Sequence, residues 1–150
     1  MKIRKAQILD VLNIQKLIKS YADKDEMLPR SLNELYENIR DFVVIENKNG
    51  IIGTAALHIL WEDLAEIKSV AVKREYSKRG LGKKLVRYCL KEARKLGVKK
   101  IFVLTYVPDY FKKFGFVQVT NKKLPQKVWN ECIKCVKFPE CGEVPLVLKI

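Results

Sequence analysis

No apolar run in this sequence approaches the roughly 18 residues that a membrane-crossing helix needs, so a soluble chain with no membrane partner is expected. The opening Met1-Lys2-Ile3-Arg4-Lys5 lacks the apolar stretch of a secretory signal, which points to the cytoplasm and to reduced thiols. Cysteine is scarce: Cys89 stands alone in a helical stretch, and Cys132, Cys135 and Cys141 cluster near the end. No second C-x-x-C accompanies Cys132-x-x-Cys135, so a tetrahedral zinc site would need His58 or Cys89 from a distant element. Free thiols are therefore the default for the cluster, a bridge or a zinc site the alternatives, and no metal is expected. Acidic residues are also few. Seventeen of them against 30 Lys and Arg leave a net charge of +13. That charge asks for an anionic partner without choosing between nucleic acid, a phosphorylated cofactor and a carboxylate substrate.

At 150 residues and 48% hydrophobic, the chain has the length and apolar content of one domain with a real core. The expectation is a single domain over 1–150, with 121–143 a cysteine-containing loop before the last strand. Residues 2 to 5 read as a first strand, and from Ile8 the positions Val11, Ile14, Leu17, Ile18 and Tyr21 fall at helical spacing, with Asp10 in the first turn. Ser31, with Glu34 three residues on, predicts a capped second helix ending near Arg40. Strands at Phe42 to Glu46 and Ile51 to Leu60 flank Asn47-Lys48-Asn49-Gly50, whose Asn-Gly pair signals a hairpin, and Ala65 to Val72 extends the meander. Gly80 opens a long helix with Leu81, Leu85, Val86, Cys89, Leu90, Ala93 and Leu96 on one face and Gly97 as its C-cap. A buried strand at Lys100 to Thr105, a short helix from Pro108 to Phe114 stopped by Gly115, and strands at Phe116 to Val119 and Val144 to Ile150 complete the order. The class is α/β (α+β).

The turn Ser77-Lys78-Arg79-Gly80-Leu81-Gly82 lies between a strand and a helix, the arrangement that points free backbone N–H groups at an anion. Glycines there leave room for an approaching phosphate, and Lys78, Arg79, Lys83 and Lys84 add positive charge. With Glu66-Ile67-Lys68-Ser69-Val70-Ala71-Val72 before the turn and Tyr110-Phe111-Lys112-Lys113-Phe114-Gly115-Phe116 after it, the sequence resembles the GCN5-related N-acetyltransferase (GNAT) family. The resemblance implies a mixed, mostly antiparallel sheet with flanking helices, whose fourth and fifth strands splay apart to admit acetyl-CoA. It also implies that the backbone of Val70, Ala71 and Val72 pairs with the pantetheine arm. Lys78, Arg79, Gly80, Leu81, Gly82 and Lys83 would cradle the pyrophosphate. Ser77 replaces the family's Arg or Gln, shifting that contact toward main-chain amides. A dinucleotide-binding unit fails on topology, because an antiparallel meander precedes the turn. A nucleic-acid module would need exposed aromatics among the basic residues, whereas Tyr110, Phe111, Phe114 and Phe116 follow the family's core pattern.

Acetyl transfer to an amine needs a neutral nucleophile, a polarised thioester carbonyl and a way to release a thiolate. Glu66, at the start of the strand lining the acetyl group, is the candidate general base, and an N–H near Val70 would polarise the carbonyl. The family's thiolate-protonating tyrosine is Phe111 here; Tyr106, Tyr110 or water would take that role. Within the family the chain most resembles stand-alone amino-acid N-acetyltransferases of the N-acetylglutamate synthase type, which serve arginine biosynthesis. Leu28-Pro29-Arg30-Ser31, Gly53-Thr54-Ala55-Ala56-Leu57 and Lys123-Leu124-Pro125-Gln126-Lys127-Val128-Trp129 carry that likeness together with the Glu66 strand. The implied acceptor is L-glutamate, a protein N-terminus, a lysine or another small amine being the alternative. Two carboxylates call for cations near the acetyl group, and Arg30, Lys68 and Lys127 are the candidates. His58, the one histidine, falls on the strand face opposite Leu57 and Ile59. A homodimer is common in the family.

Overall fold

The computed structural model describes residues 1–120 and 143–150. Lys127, Cys132, Cys135 and Cys141, and with them almost all of the expected 121–143 loop, lie outside the described residues.

The elements are β1 (Lys2–Lys5), α1 (Val11–Ala22), α2 (Leu32–Glu37), β2 (Phe42–Asn47), β3 (Gly50–Trp61), β4 (Leu64–Val72), α3 (Leu81–Leu96), β5 (Lys100–Thr105), α4 (Pro108–Lys112), β6 (Val117–Gln118) and β7 (Val144–Lys149). The seven strands form one sheet in the order β1-β2-β3-β4-β5-β7-β6. All neighbours are antiparallel except β4 and β5, which are parallel and joined through α3. The last strand does not simply extend the edge. It slots between β5 and β6, pairing with β5 from Lys100↔Lys149 to Thr105↔Val144.

Each face of the sheet carries its own core. On one, α3 buries Leu81, Leu85, Val86, Cys89, Leu90 and Ala93 against sheet residues that include Ile45, Ala55, Leu57, Ile67 and Ile101. On the other, Val11, Ile14 and Ile18 of α1 and Leu35 of α2 pack on Phe42, Val44 and Ala56. Burial pushes the Cys89 thiol up to about 12, so it stays protonated inside the core. Local signals behave as their chemistry requires. Ser31 Oγ accepts from the Glu34 N–H at 3.1 Å, and Gly97 closes α3 in the left-handed region at φ 86°.

Helix starts and ends differ from the sequence reading by one turn. A 3-10 turn at Ile8–Asp10 precedes α1, and another at Ile39–Asp41 follows α2, so regular helix begins at Val11 and stops at Glu37. Asp10 is not merely a dipole partner. Buried, it accepts two hydrogen bonds from Arg4 and one from the Gln7 N–H, while Arg4 also grips Glu46 of β2. The hydrogen bonds from Arg4 hold both carboxyls below their usual range, Asp10 with further help from the Gln7 amide. Folded pKa values lowered in this way stabilise the fold above the unfolded carboxylate range near pH 4. That stabilisation is lost as pH falls through the folded values. Arg4→Ala is expected to cost about 2 kcal/mol at pH 7. In urea titrations its deficit against wild type should shrink as pH falls below the ordinary carboxylate range.

The feature that matters for function is the divergence of β4 from β5. Their ladder is confined to Leu64↔Lys100, Ala65↔Ile101 and Glu66↔Phe102, although β4 continues to Val72. A bulge explains the parting. Lys68 pairs with Ala56 and Ala71 with Thr54, so Ser69 and Val70 together oppose Ala55, and Ser69 takes φ 57°. An extra residue bends a strand and increases its twist. Beyond Glu66 the strand turns away from β5, and the sheet opens as the splayed pair was expected to.

Candidate functional site

The open sheet leads to the loop between β4 and α3. After a 3-10 turn at Arg74–Tyr76 the backbone passes through two left-handed residues, Lys78 at φ 62° and Gly80 at φ 77°. That alternation turns successive N–H groups to the same side. The Ser77 amide is spent on the Arg74 carbonyl and the Lys84 amide on the Gly80 carbonyl. Among the described residues no acceptor takes the amides of residues 78 to 83 between them. The first N–H groups of a helix have no partner within it, and they carry the positive end of its dipole. Lys78, Arg79 and Lys83 are exposed around these amides, with Arg79 tethered over the Tyr76 ring at 5.3 Å. The loop thus gathers helix N-terminal amides and positive charge at the mouth of the gap.

The two glycines serve different ends. Gly80 needs its positive φ, and an added Cβ there would meet nothing within 4 Å. At Gly82 the obstacle is the Tyr110 hydroxyl, 2.6 Å from where a Cβ would sit. Tyr110 is half-buried on α4, and burial pushes its phenol up, so it remains a protonated donor. Phe111 beside it is core, meeting Tyr110 and Phe116 edge-on at 5.3 and 5.8 Å. Gly82→Ala should destabilise the fold by about 1 kcal/mol, the crowding outweighing the better helix propensity of alanine. Tyr110→Phe in the same chain should recover that loss, which a double-mutant cycle on melting curves would measure.

Glu66 occupies the last rung before the strands part, opposite His58 on β3 and Phe102 on β5. It is buried rather than a solvated strand end. Lys68 follows two residues later on the same face by alternation, half-buried and still ahead of the bulge. Arg30, from the segment between α1 and α2, reaches the bulge itself. Its Nε stands 3.4 Å from Ser69 Oγ and its guanidinium 3.4 Å from Glu34. Val70 and Val72 pack on the α3 core while Ala71 is buried. The Lys73 N–H bonds Ile52 across the β3 side, so by alternation the backbone groups of Val72 point to the open side. There the Tyr21 hydroxyl donates to the Val72 carbonyl.

The structure therefore brings Arg30, Glu66, Lys68, Val70, Ala71 and Val72 to one opening, with the 78–83 cradle at its end; Lys127 lies outside the described residues. Sequence reasoning missed Ser69, Tyr21 and Asp41. Nothing in Lys68-Ser69-Val70 signals a bulge, and Asp41, which meets His58 Nδ1 at 2.7 Å, lies in a turn without a motif. Among the described residues no group of three or more His, Cys, Asp or Glu is placed to hold a metal, and no helix is long and apolar enough to cross a membrane.

Comparison with known proteins gives a consistent picture. The profile of the acetyltransferase (GNAT) family matches residues 8–116. An uncharacterized N-acetyltransferase of Chlorobaculum tepidum is 35% identical over 145 residues, 97% of this chain and 94% of its own length. An amino-acid acetyltransferase of Mycobacterium tuberculosis is 35% identical over 132 residues, 86% of this chain and 75% of that protein. The N-acetylglutamate synthase of Neisseria gonorrhoeae, solved with coenzyme A and N-acetyl-glutamate, superposes with a TM-score of 0.90 at 25% identity. That match takes in 99% of this chain and 34% of the larger enzyme, so the chain spans about a third of its length.

Proposed function

The chain belongs to the acetyltransferase (GNAT) family and is an acetyl-CoA-dependent N-acetyltransferase, and on that premise we propose that its acceptor is the α-amine of L-glutamate. The observation that carries the donor half is the row of amides at residues 78 to 83 that meet no acceptor among the described residues, set in the basic loop that follows β4. A diphosphate held there would lay its arm along Val70 to Val72, against strand edge that β5 has vacated. Bound acetyl-CoA supplies the thioester. The chain supplies orientation, exclusion of water and a base.

Glu66 is that base: its carboxylate takes the proton of the attacking amine, directly or through water. An N–H near Val70 polarises the thioester carbonyl. The thiol formed has an ordinary pKa of about 8.5, so its thiolate leaves readily near neutral pH and needs no dedicated acid. The likeness to named amino-acid acetyltransferases supports an amino-acid acceptor, and Arg30 at the bulge supports a carboxylate on it. Arg30 and Lys68, with Lys127, would divide the two carboxylates of glutamate between them. The work belongs in the cytoplasm, within N-acetylglutamate synthesis.

A thiol-release assay with acetyl-CoA against a panel of amino acids, peptides and polyamines tests this. Turnover of glutamate well above the others is the expected result. Turnover confined to peptides or free lysine would replace glutamate with a protein acceptor and leave the acetyltransferase standing.

A further inference from the structure

We propose that Tyr21 is a stand-in for the donor: its hydroxyl holds the Val72 carbonyl that a pantetheine amide would take, and acetyl-CoA displaces it on binding. The proposal rests on the reading above that the arm lies along Val70 to Val72, and it adds what satisfies that edge before the donor arrives. An open strand edge presents N–H and C=O groups that need partners. The Lys73 N–H bonds Ile52 on the β3 side, so Val72, one residue back, turns its carbonyl away from β3. The Tyr21 hydroxyl donates to that carbonyl. A pairing chain offers one N–H to each outward carbonyl of an edge, and at Val72 a phenol O–H fills the place. Each is a single donor, so the phenol satisfies the carbonyl as an amide would.

The hydroxyl is aimed by contacts on both sides of the ring. Tyr21 is half-buried in the last turn of α1, and its own carbonyl accepts from the Lys24 and Glu26 N–H groups at 3.1 and 3.0 Å. The Arg74 guanidinium lies over the ring, 4.5 Å from its centroid, and bonds Glu26 Oε1 at 3.2 Å. Arg74 begins the 3-10 turn that leads into the 78–83 loop, so the clamp joins the end of α1 to the donor side of the gap. These outer contacts are of the kind that water weakens, a half-exposed ion pair and a cation–π contact. The residues that seat α1 on the sheet are Val11, Ile14 and Ile18, so the ring can swing out while the helix stays packed. A contact made only in the empty state opposes binding by its own worth. Removing it therefore tightens the donor as much as it loosens the free fold.

Calorimetric titration of the chain with CoA, and with 3′-phospho-ADP, which keeps the phosphates and lacks the arm, tests this. Tyr21→Phe should bind CoA about two- to tenfold more tightly than wild type, the range for one hydrogen bond, and should bind the bare nucleotide equally well. Without ligand the same variant should melt about 2–4 °C lower, and at saturating CoA that difference should vanish. Glu26→Gln, which releases Arg74, should favour CoA over the bare nucleotide in the same direction and by less. A tyrosine that only supports the fold would lower melting with and without CoA and weaken CoA, and that result overturns the stand-in. CoA affinity unchanged in Tyr21→Phe overturns it as well, because the carbonyl would then be accepting from both donors. If wild type binds CoA no better than the bare nucleotide, the arm gains nothing from the edge, and the placing of pantetheine along Val70 to Val72 falls together with the stand-in. Should Tyr21→Phe fail to fold, the Glu26→Gln titrations decide.

Discussion

Glu66→Gln lowers kcat about 10²- to 10⁴-fold in the thiol-release assay and leaves KM for acetyl-CoA unchanged. The size follows from position as much as from chemistry. A carboxylate on the last rung of the β4–β5 ladder lies where the sheet stops being continuous and a substrate atom can enter. Gln keeps the volume and one acceptor but takes up no proton, so the amine would have to lose its proton to solvent. The cofactor contacts proposed here lie further along the chain, on Val70 to Val72 and the 78–83 amides, and a change at Glu66 does not reach them. A rise in KM for acetyl-CoA with kcat intact would make Glu66 a structural residue of the gap and move the base elsewhere.

The parts of this architecture set by local chemistry were legible before the fold was known. The Asn47–Gly50 turn, the apolar face of α3 and the Gly97 cap each depend on a few adjacent residues, and each formed where its signal lies. The glycine turn that opens α3 was legible for the same reason. The parting of β4 from β5 was implied only by resemblance, because Ser69 bulges through pairing with Ala55, more than ten residues earlier, and not through any preference of its own. The insertion of β7 between β5 and β6 is likewise a long-range outcome, decided by which apolar strand best covers Ile101 and Val103. The Arg4–Asp10–Glu46 cluster joins three elements, and no stretch of sequence displays it. Residue types announced the chemistry; the geometry that couples His58 to Asp41, or Arg30 to Ser69, arose from tertiary packing.

Arg30→Ala lowers kcat/KM for glutamate about 10- to 100-fold, the loss expected when a charge-assisted hydrogen bond worth about 1.5–3 kcal/mol disappears. The effect should fall on glutamate rather than on acetyl-CoA, since Arg30 approaches the bulge from the helical side and not from the phosphate loop. Arg30→Lys should recover little, because an ammonium lacks the planar fork that holds a carboxylate by two bonds. Glu34 sharpens the test. Its carboxylate stands 3.4 Å from the same guanidinium, where it occupies the cation that a substrate carboxylate would need. Glu34→Gln should therefore tighten glutamate two- to threefold, the modest change expected for a half-exposed ion pair worth under about 1 kcal/mol. The two variants move affinity in opposite directions only if Arg30 changes partner from Glu34 to substrate. If both weaken glutamate alike, Arg30 acts by holding the segment between α1 and α2 in place, and the carboxylate-binding cation must be sought elsewhere around the gap.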